Sequence, residues 1–432
     1  MPRYATYKNP GVEWLEEIPA TWNLKKIKFL GSVFNGDSLN ENKKAQFESD
    51  DVAHIAYISS KDIDADLATI NYKNGLRIPV GTGNYKIAPK GSSLLCIEGG
   101  SAGKKIAYTN QNVCFVNKLA CFESKKLINS KYFYYSLKAG PFQEQFRLSM
   151  TGLIGGVSIS SINNFALTLP TPNEQAAIAT FLDQRTMIVD QAIAIKEKQI
   201  TLLKERKQIL IQNAVTRGLN PDAPMRDSGV EYIGEIPAHW MIKRLKYVLD
   251  ERNERSITGE EPLFMVSQVH GLVVRSEYHD KAEVAKSNVD NKIVYINDLV
   301  FNKLKAHLGV FFKSNISFKG IVSPDYAVYK PKGFIHDLKL LEYLFRHPAY
   351  IGQFIIRTAG IVEGLIRLYT DELFDIYVPV PPTPEQQIIL QYIETESSKI
   401  NKAITIQQQI EKLKEYKTTL INSAVTGKIK VT

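Results

Sequence analysis

Apolar and polar positions along this 432-residue chain follow two regimes, and each regime occurs twice. The first is short and β-like. Runs such as AHIAYISS and SLLCIEGG are punctuated by Gly, Pro and Asn and followed by helix-like segments, KYFYYSL (Lys131 to Leu137) and LKLLEYLF (Leu338 to Phe345). That mixture predicts an α+β domain. The second regime follows a proline-rich stop and is a helical pattern of ~40 residues without Pro or Gly, far beyond the roughly 11 or 12 residues of an average globular helix. In its first copy Phe181, Ile188, Ile195, Leu202 and Ile209 recur every seven residues. In its second, Ile406, Leu413 and Leu420 do so, joined by Ile389, Ala403 and Ile410 three residues before members of that register. A seven-residue period predicts a coiled-coil seam, with Pro172 and Pro384 where helices begin. At 1.5 Å per residue each helix would be roughly 60 Å long.

These regimes are halves of a tandem duplication. GVEWLEEIPATW (Gly11 to Trp22) returns as GVEYIGEIPAHW (Gly229 to Trp240), and each copy continues into a basic stretch, LKKIKFL and IKRLKYVL. LPTPNEQ (Leu169 to Gln175) returns as VPPTPEQ (Val380 to Gln386), and NAVTRG (Asn213 to Gly218) as SAVTGK (Ser423 to Lys428). Four ordered matches exceed what chance supplies. The expected organisation is a first head over 1–170, a helix over 171–217, a linker over 218–228, a second head over 229–381, a helix over 382–426 and a tail over 427–432. Because the linker leads straight into the second head, the second helix should start there and run back. The expected fold class is α+β, with two α+β heads at opposite ends of a long antiparallel two-helix coiled coil and internal pseudo-two-fold symmetry. Such symmetry suits a target with two half-sites on one face of a duplex.

Composition narrows the function. The formal charge of +9 favours a polyanionic partner. No run of eighteen apolar residues occurs and the first residues lack a signal-peptide pattern, so a cytoplasmic protein without a membrane partner is expected. Cys96, Cys114 and Cys121 form no CxxC pair and read as buried thiols of a reducing compartment. The seven histidines show no HxH or HExxH spacing, so no metal site is expected. Gly99 to Lys105 (GGSAGKK) has three residues between its outer glycines and Lys105 where a phosphate loop needs a hydroxyl, and reads as a mobile DNA-facing loop with two lysines or a plain solvated turn rather than a nucleotide site. Pro324-Asp325 followed by Asp337-Leu338-Lys339 imitates a metal-nuclease pattern, but Asp337 precedes a helix and reads as its N-cap, as does the region near Ser130 in the first copy.

The duplicated opening, the LPTPNEQ-type stop and the AVT-ending helices resemble Type I restriction-modification specificity subunits over essentially the whole chain. One departure is Tyr232 where the first copy has Trp14. The resemblance implies two target recognition domains, each reading one part of a bipartite DNA site. It implies helices that space the heads and dock two modification (methyltransferase) subunits, with restriction/translocase subunits joining them. No catalytic site and no cofactor are then expected in this chain. S-adenosylmethionine, ATP and magnesium would belong to partner subunits, in keeping with the absence of an Asn/Asp-Pro-Pro-aromatic motif here. The alternative class is a non-enzymatic coiled-coil adaptor with two protein-binding heads.

The duplication also offers an internal comparison of the heads. Ile55 to Ile63 aligns with Phe264 to Leu272, Leu94 to Lys105 with Leu299 to Gly309, and Val116 to Phe122 with Ser323 to Tyr329. Apolar alternation survives in each pair while the polar set changes. Ser59 and Lys61 stand against Gln268 and His270, and Asn117 and Lys118 against Pro324 and Asp325, beside Tyr326. Lys104 and Lys105 stand against the segment holding Asn302, Lys303, Lys305 and His307. These side-chain types match base edges or neutralise phosphates, which makes them the candidate DNA-binding set. Trp14, Trp22 and Trp240 read as core or helix-docking residues, and the Lys/Glu run from Lys196 to Lys207 as a solvated helix face.

Overall fold

A computed structural model describes residues 2–152, 155–278, 287–358, 367–407 and 409–431. The chain forms two compact units, Met1–Lys198 with Gln408–Thr432, and Gln199–Gln407.

In the first unit the main strands are β1 (Gly31–Asn35), β2 (Ile55–Ile58), β3 (Ser93–Cys96), β4 (Ile106–Tyr108), β5 (Val113–Phe115) and β6 (Leu119–Ser124). An antiparallel sheet runs β1-β6-β3-β4, and β2 pairs parallel with β5 in a second sheet. Helices α1 (Ser130–Lys138) and α2 (Gly140–Leu148) cover the first sheet, and α3 (Pro172–Arg217) follows. In the second unit lie β7 (Leu249–Glu251), β8 (Phe264–Ser267), β9 (Gly271–Val274), β10 (Leu299–Asn302), β11 (Phe311–Lys313), β12 (Gly320–Val322) and β13 (Tyr326–Pro331). Its antiparallel sheet runs β7-β13-β10-β11, the order of the first unit's sheet. A parallel bridge, Leu263 to Ile321, stands where β2 and β5 pair in the first. Helices α4 (Lys339–Leu344) and α5 (Pro348–Arg357) precede α6 (Thr383–Gln407) and α7 (Ile410–Val425).

Each core is completed by a helix belonging to the other repeat. In the first unit Leu420, Ile421, Ala424 and Val425 of α7 join Trp22, Tyr132, Ile178 and Leu182. In the second, Ala214 and Val215 of α3 join Trp240, Ile389 and Ile393. The duplicated motifs secure the start of each long helix. Trp22 Nε1 donates to Glu174 at 3.1 Å, and Trp240 Nε1 to Glu385 at 3.0 Å. Gln175 donates to Pro170 O and accepts from the Asn129 N–H, and Gln386 likewise serves Pro381 and His336. Trp22 and Trp240 are thus helix-docking residues, and Trp14 packs partly buried against the first core.

The seven-residue period is present, but its phase differs from the expected one. Ile188, Ile195, Leu202 and Ile209 are 52–59 % exposed, and Ile406 is 61 % exposed, so none is a seam residue. Phe181, Ala403, Ile410 and Leu413 are half-buried, while Ile389 and Leu420 are buried. On α3 the shielded positions run one residue later: Leu182 and Val189 buried, then Lys196, Leu203 and Leu210 half-buried. The reason lies where the helix meets its head. Ile178 and Leu182 enter the core, and the Thr186 hydroxyl sits 3.2 Å from that of Tyr135. That docking sets the rotation of the helix, and one residue is a turn of about 100°. Lys196 interrupts the shielded column, so the wholly apolar neighbouring column was the more conspicuous one.

Caps also shift. The cap expected near Ser130 is Asn129, which accepts from the Lys131 and Tyr132 N–H groups ahead of the first turn of α1. Asp337 accepts from the Lys339 N–H at 2.8 Å and pairs with Lys313 at 2.9 Å, although Leu338 occupies the N-cap position of α4. The segment Gly99–Lys105 leads into strand β4, not a helix, which removes the helix N-terminus that a phosphate loop requires. Among the described residues no helix is long and apolar enough to cross a membrane, and no cluster of His, Cys, Asp and Glu could hold a metal ion.

All three cysteines are buried and unpaired. Burial pushes the Cys114 thiol up to about 11 and Cys121 to about 12. The native protein should therefore resist alkylation at pH 8 while the urea-unfolded chain reacts at all three thiols. Rapid labelling of native protein would contradict this packing.

Candidate nucleic-acid interface

In the first unit, the three segments singled out above converge at the ends of β2, β3 and β5. The Val116 N–H donates to Ile58 O at 2.9 Å, and the Ile97 N–H to Lys118 O at 3.0 Å. Lys105 Nζ reaches across to Ser60 O at 2.7 Å, joining the β3–β4 loop to the turn after β2. That turn is self-capped: the Ser59 hydroxyl bonds Asp62 at 2.7 Å, and Asp62 accepts the Ser59 N–H. Ser59 and Lys105 are thus occupied in shaping the surface. Lys61, Lys104, Asn117 and Lys118 are exposed on it, Lys118 lying 4.0 Å from Glu98.

The second unit builds the same region differently. β8 and β9 form a hairpin whose turn carries Gln268 and His270. Ser267 Oγ accepts from the Val269 and His270 N–H groups, and the His270 ring lies 4.8 Å from that of Tyr278. Asn302 ends β10, caps the next turn by accepting from the Leu304 N–H at 3.0 Å, and stands opposite Tyr326 in the sheet. Tyr326 is half-buried, and burial raises its phenol pKa while hydrogen bonds with the Asn302 side chain and the Val266 backbone oppose that rise. Lys305 is exposed, Lys303 and His307 are half-buried, and Asp325 lies 3.6 Å from Arg367. Gln268 and His270 line a groove of about 680 Å³ with Lys313, Lys339 and Arg346.

Basic groups absent from the expected set also gather here. Arg275 acts on Tyr326 electrostatically. Lys292 is almost wholly buried, 3.3 Å from Glu251, and burial, then the nearby Lys303 cation, holds its ammonium below the ordinary lysine range. A lysine opening the strand KIV was the one available sign of it. Both units therefore present a polar and basic rim on the same strand ends, with different side chains and different loop shapes. Such a rim is suited to phosphate contact and base-edge hydrogen bonding.

Residues 19–205 match the family model described as Type I restriction modification DNA specificity domain. The chain is 24% identical to the Type I restriction enzyme MjaVIII specificity subunit of Methanocaldococcus jannaschii over 81% of each chain. It is 25% identical to the MjaIX specificity subunit of the same organism, over 96% of this chain and 95% of the relative. Two solved structures share its fold at 14% identity. One, from work on complex assembly and conformational transition of the type I R-M system, has a TM-score of 0.69 over 95% of this chain and 99% of the other. The HsdS subunit from Thermoanaerobacter tengcongensis has a TM-score of 0.54 over 95% and 98%.

Proposed function

We propose, from the premise that this chain belongs to the family of Type I restriction-modification specificity subunits, that its two heads each read one half of a bipartite duplex DNA site. The observation that carries the reading is the pairing of sameness and difference between the heads. Their sheets share one strand order, yet the loops at equivalent strand ends carry Ser59, Lys61 and Asn117 in one head and Gln268, His270 and Asp325 in the other. A shared scaffold with divergent polar ends is what two readers of different bases require. The long helices space the heads, antiparallel, and dock two modification subunits. The exposed column Ile188, Ile195, Leu202 and Ile209 supports docking, since it leaves apolar surface unburied along α3. Methyl transfer, cleavage and translocation, with S-adenosylmethionine, ATP and magnesium, belong in this reading to partner subunits, and the chain itself performs no catalysis. The setting is cytoplasmic, where the three thiols stay reduced.

The test is selection from a random duplex library by the full chain with its modification subunits. The expected product is one two-part motif with a constant gap, bound less tightly as salt rises. Salt-sensitive binding without any motif, or none at all, would leave the adaptor reading in its place.

A further inference from the structure

The duplication makes a charge difference between the units informative. Each unit has a cleft where its head helix meets two long-helix segments. In the first unit this cleft, about 350 Å³, is lined by the acids Asp64, Asp66, Asp190 and Glu197 against Lys138, Lys414 and Lys417. Lys417 lies 2.6 Å from Asp190 and Lys414 3.7 Å from Asp66, so cations there meet carboxylates. In the second unit the cleft, about 850 Å³, is lined by Lys207, Lys339, Arg346 and Lys402 against one acid among the described residues, Glu394.

The substitution behind this is traceable. Lys207 and Lys417 precede their Ala-Val pairs by the same seven residues, and Asn401 stands where the first copy has Asp190. Lys207 Nζ therefore bonds an uncharged amide, the Asn401 side chain, at 3.0 Å. Lys339 and Arg346 share one carboxylate, the buried Glu342, at 2.7 and 2.8 Å. Burial, then the Arg346 cation, holds the Lys207 ammonium below the ordinary lysine range, as expected where positive charge is incompletely balanced. The Ser397 hydroxyl, also in the lining, is buried without a hydrogen-bond partner among the described residues.

We propose that this cleft of the second unit is a sequence-independent phosphate site that holds the DNA backbone beyond the bases its head reads, with Lys207 and Lys402 as the principal contacts. The inference rests on the DNA-reading function proposed above. The occupant follows from charge and from continuity. Lys339 and Arg346 line both this cleft and the groove bearing Gln268 and His270, where Lys313 joins them and Glu342 is the acid they share, so a track with an excess of positive charge runs from the hairpin to the helices. Phosphodiesters are regularly spaced anions that such a track can follow, and lysine serves them as a point charge.

The experiment measures duplex affinity against salt for the full chain with its modification subunits, on cognate and scrambled DNA. Lys207→Gln and Lys402→Gln should each lower the slope of log K against log salt by roughly 0.9 on both duplexes, leaving the preferred motif unchanged. Lys402→Glu should weaken both further. An unchanged slope in all three variants overturns the proposal. So does loss of subunit assembly at constant slope, which would assign the cleft to an acidic protein surface. Inorganic phosphate at matched ionic strength is the arm for a free anion: if it stabilises the parent but not the glutamine variants while the slopes coincide, backbone contact is overturned. Because the slope is also read on scrambled DNA, failure of motif selection in the parent counts against the heads as readers, and not against the cleft.

Discussion

Leu182→Asp should unfold the first unit at ordinary temperature, whereas Leu202→Asp should melt close to the parent. Leu182 is fully buried among Trp22, Tyr132 and Leu420, and Leu202 is 52 % exposed. Truncating a buried leucine costs about 2–5 kcal/mol, and an unpaired carboxylate in its place adds a desolvation penalty or forces protonation. That total rivals the whole stability of a typical domain, about 5–15 kcal/mol. The same change at Leu202 meets water. It should instead weaken assembly with modification subunits, if the exposed column is their dock. Thermal melting of the two variants separates these outcomes. If Leu202→Asp were the more destabilising, the column Ile188, Ile195, Leu202, Ile209 would be the contact face after all.

The second large effect concerns specificity. Replacing residues ~230–375 with the matching head of a relative should change one half of the methylated motif completely and leave the other half intact. The candidate reading residues of the second head, from Gln268 to Tyr326, all lie in that stretch, while Lys61, Lys104 and Asn117 lie outside it. A well-placed bidentate contact discriminates by about 1–3 kcal/mol per base, so the loss of several contacts erases a half-site. The exchange must keep the seats for Ala214 and Val215, which complete the second core. Adenine methylation mapped in cells carrying the exchanged chain is the readout, and a simultaneous change in both halves would defeat the model of independent readers.

The duplication, the α+β character and the long helix α3 were legible from sequence pattern, whereas the single helix expected over 382–426 is two, α6 (Thr383–Gln407) and α7 (Ile410–Val425). The phase of α3 was not legible. Whether Ile188 or Val189 faces inward depends on how Ile178, Leu182 and Thr186 seat against the head, which is a tertiary fact. For the same reason nothing local announces that Leu420 and Val425 complete the core around Trp22. At the candidate interface the three segments of each head lie at neighbouring strand ends. The roles within them were less visible. Ser59 and Asn302 look like base readers by residue type, yet both cap turns, and Lys105 is bonded to Ser60 O. Small polar residues serve caps and recognition equally well, so composition alone does not separate the two.

The most direct test of the central claim is a genome-wide map of methylated adenines in cells with and without this chain, all partner subunits being present in both. The account predicts one two-part motif, methylated when the chain is present and unmethylated when it is absent. An identical methylation pattern in the two maps would contradict it.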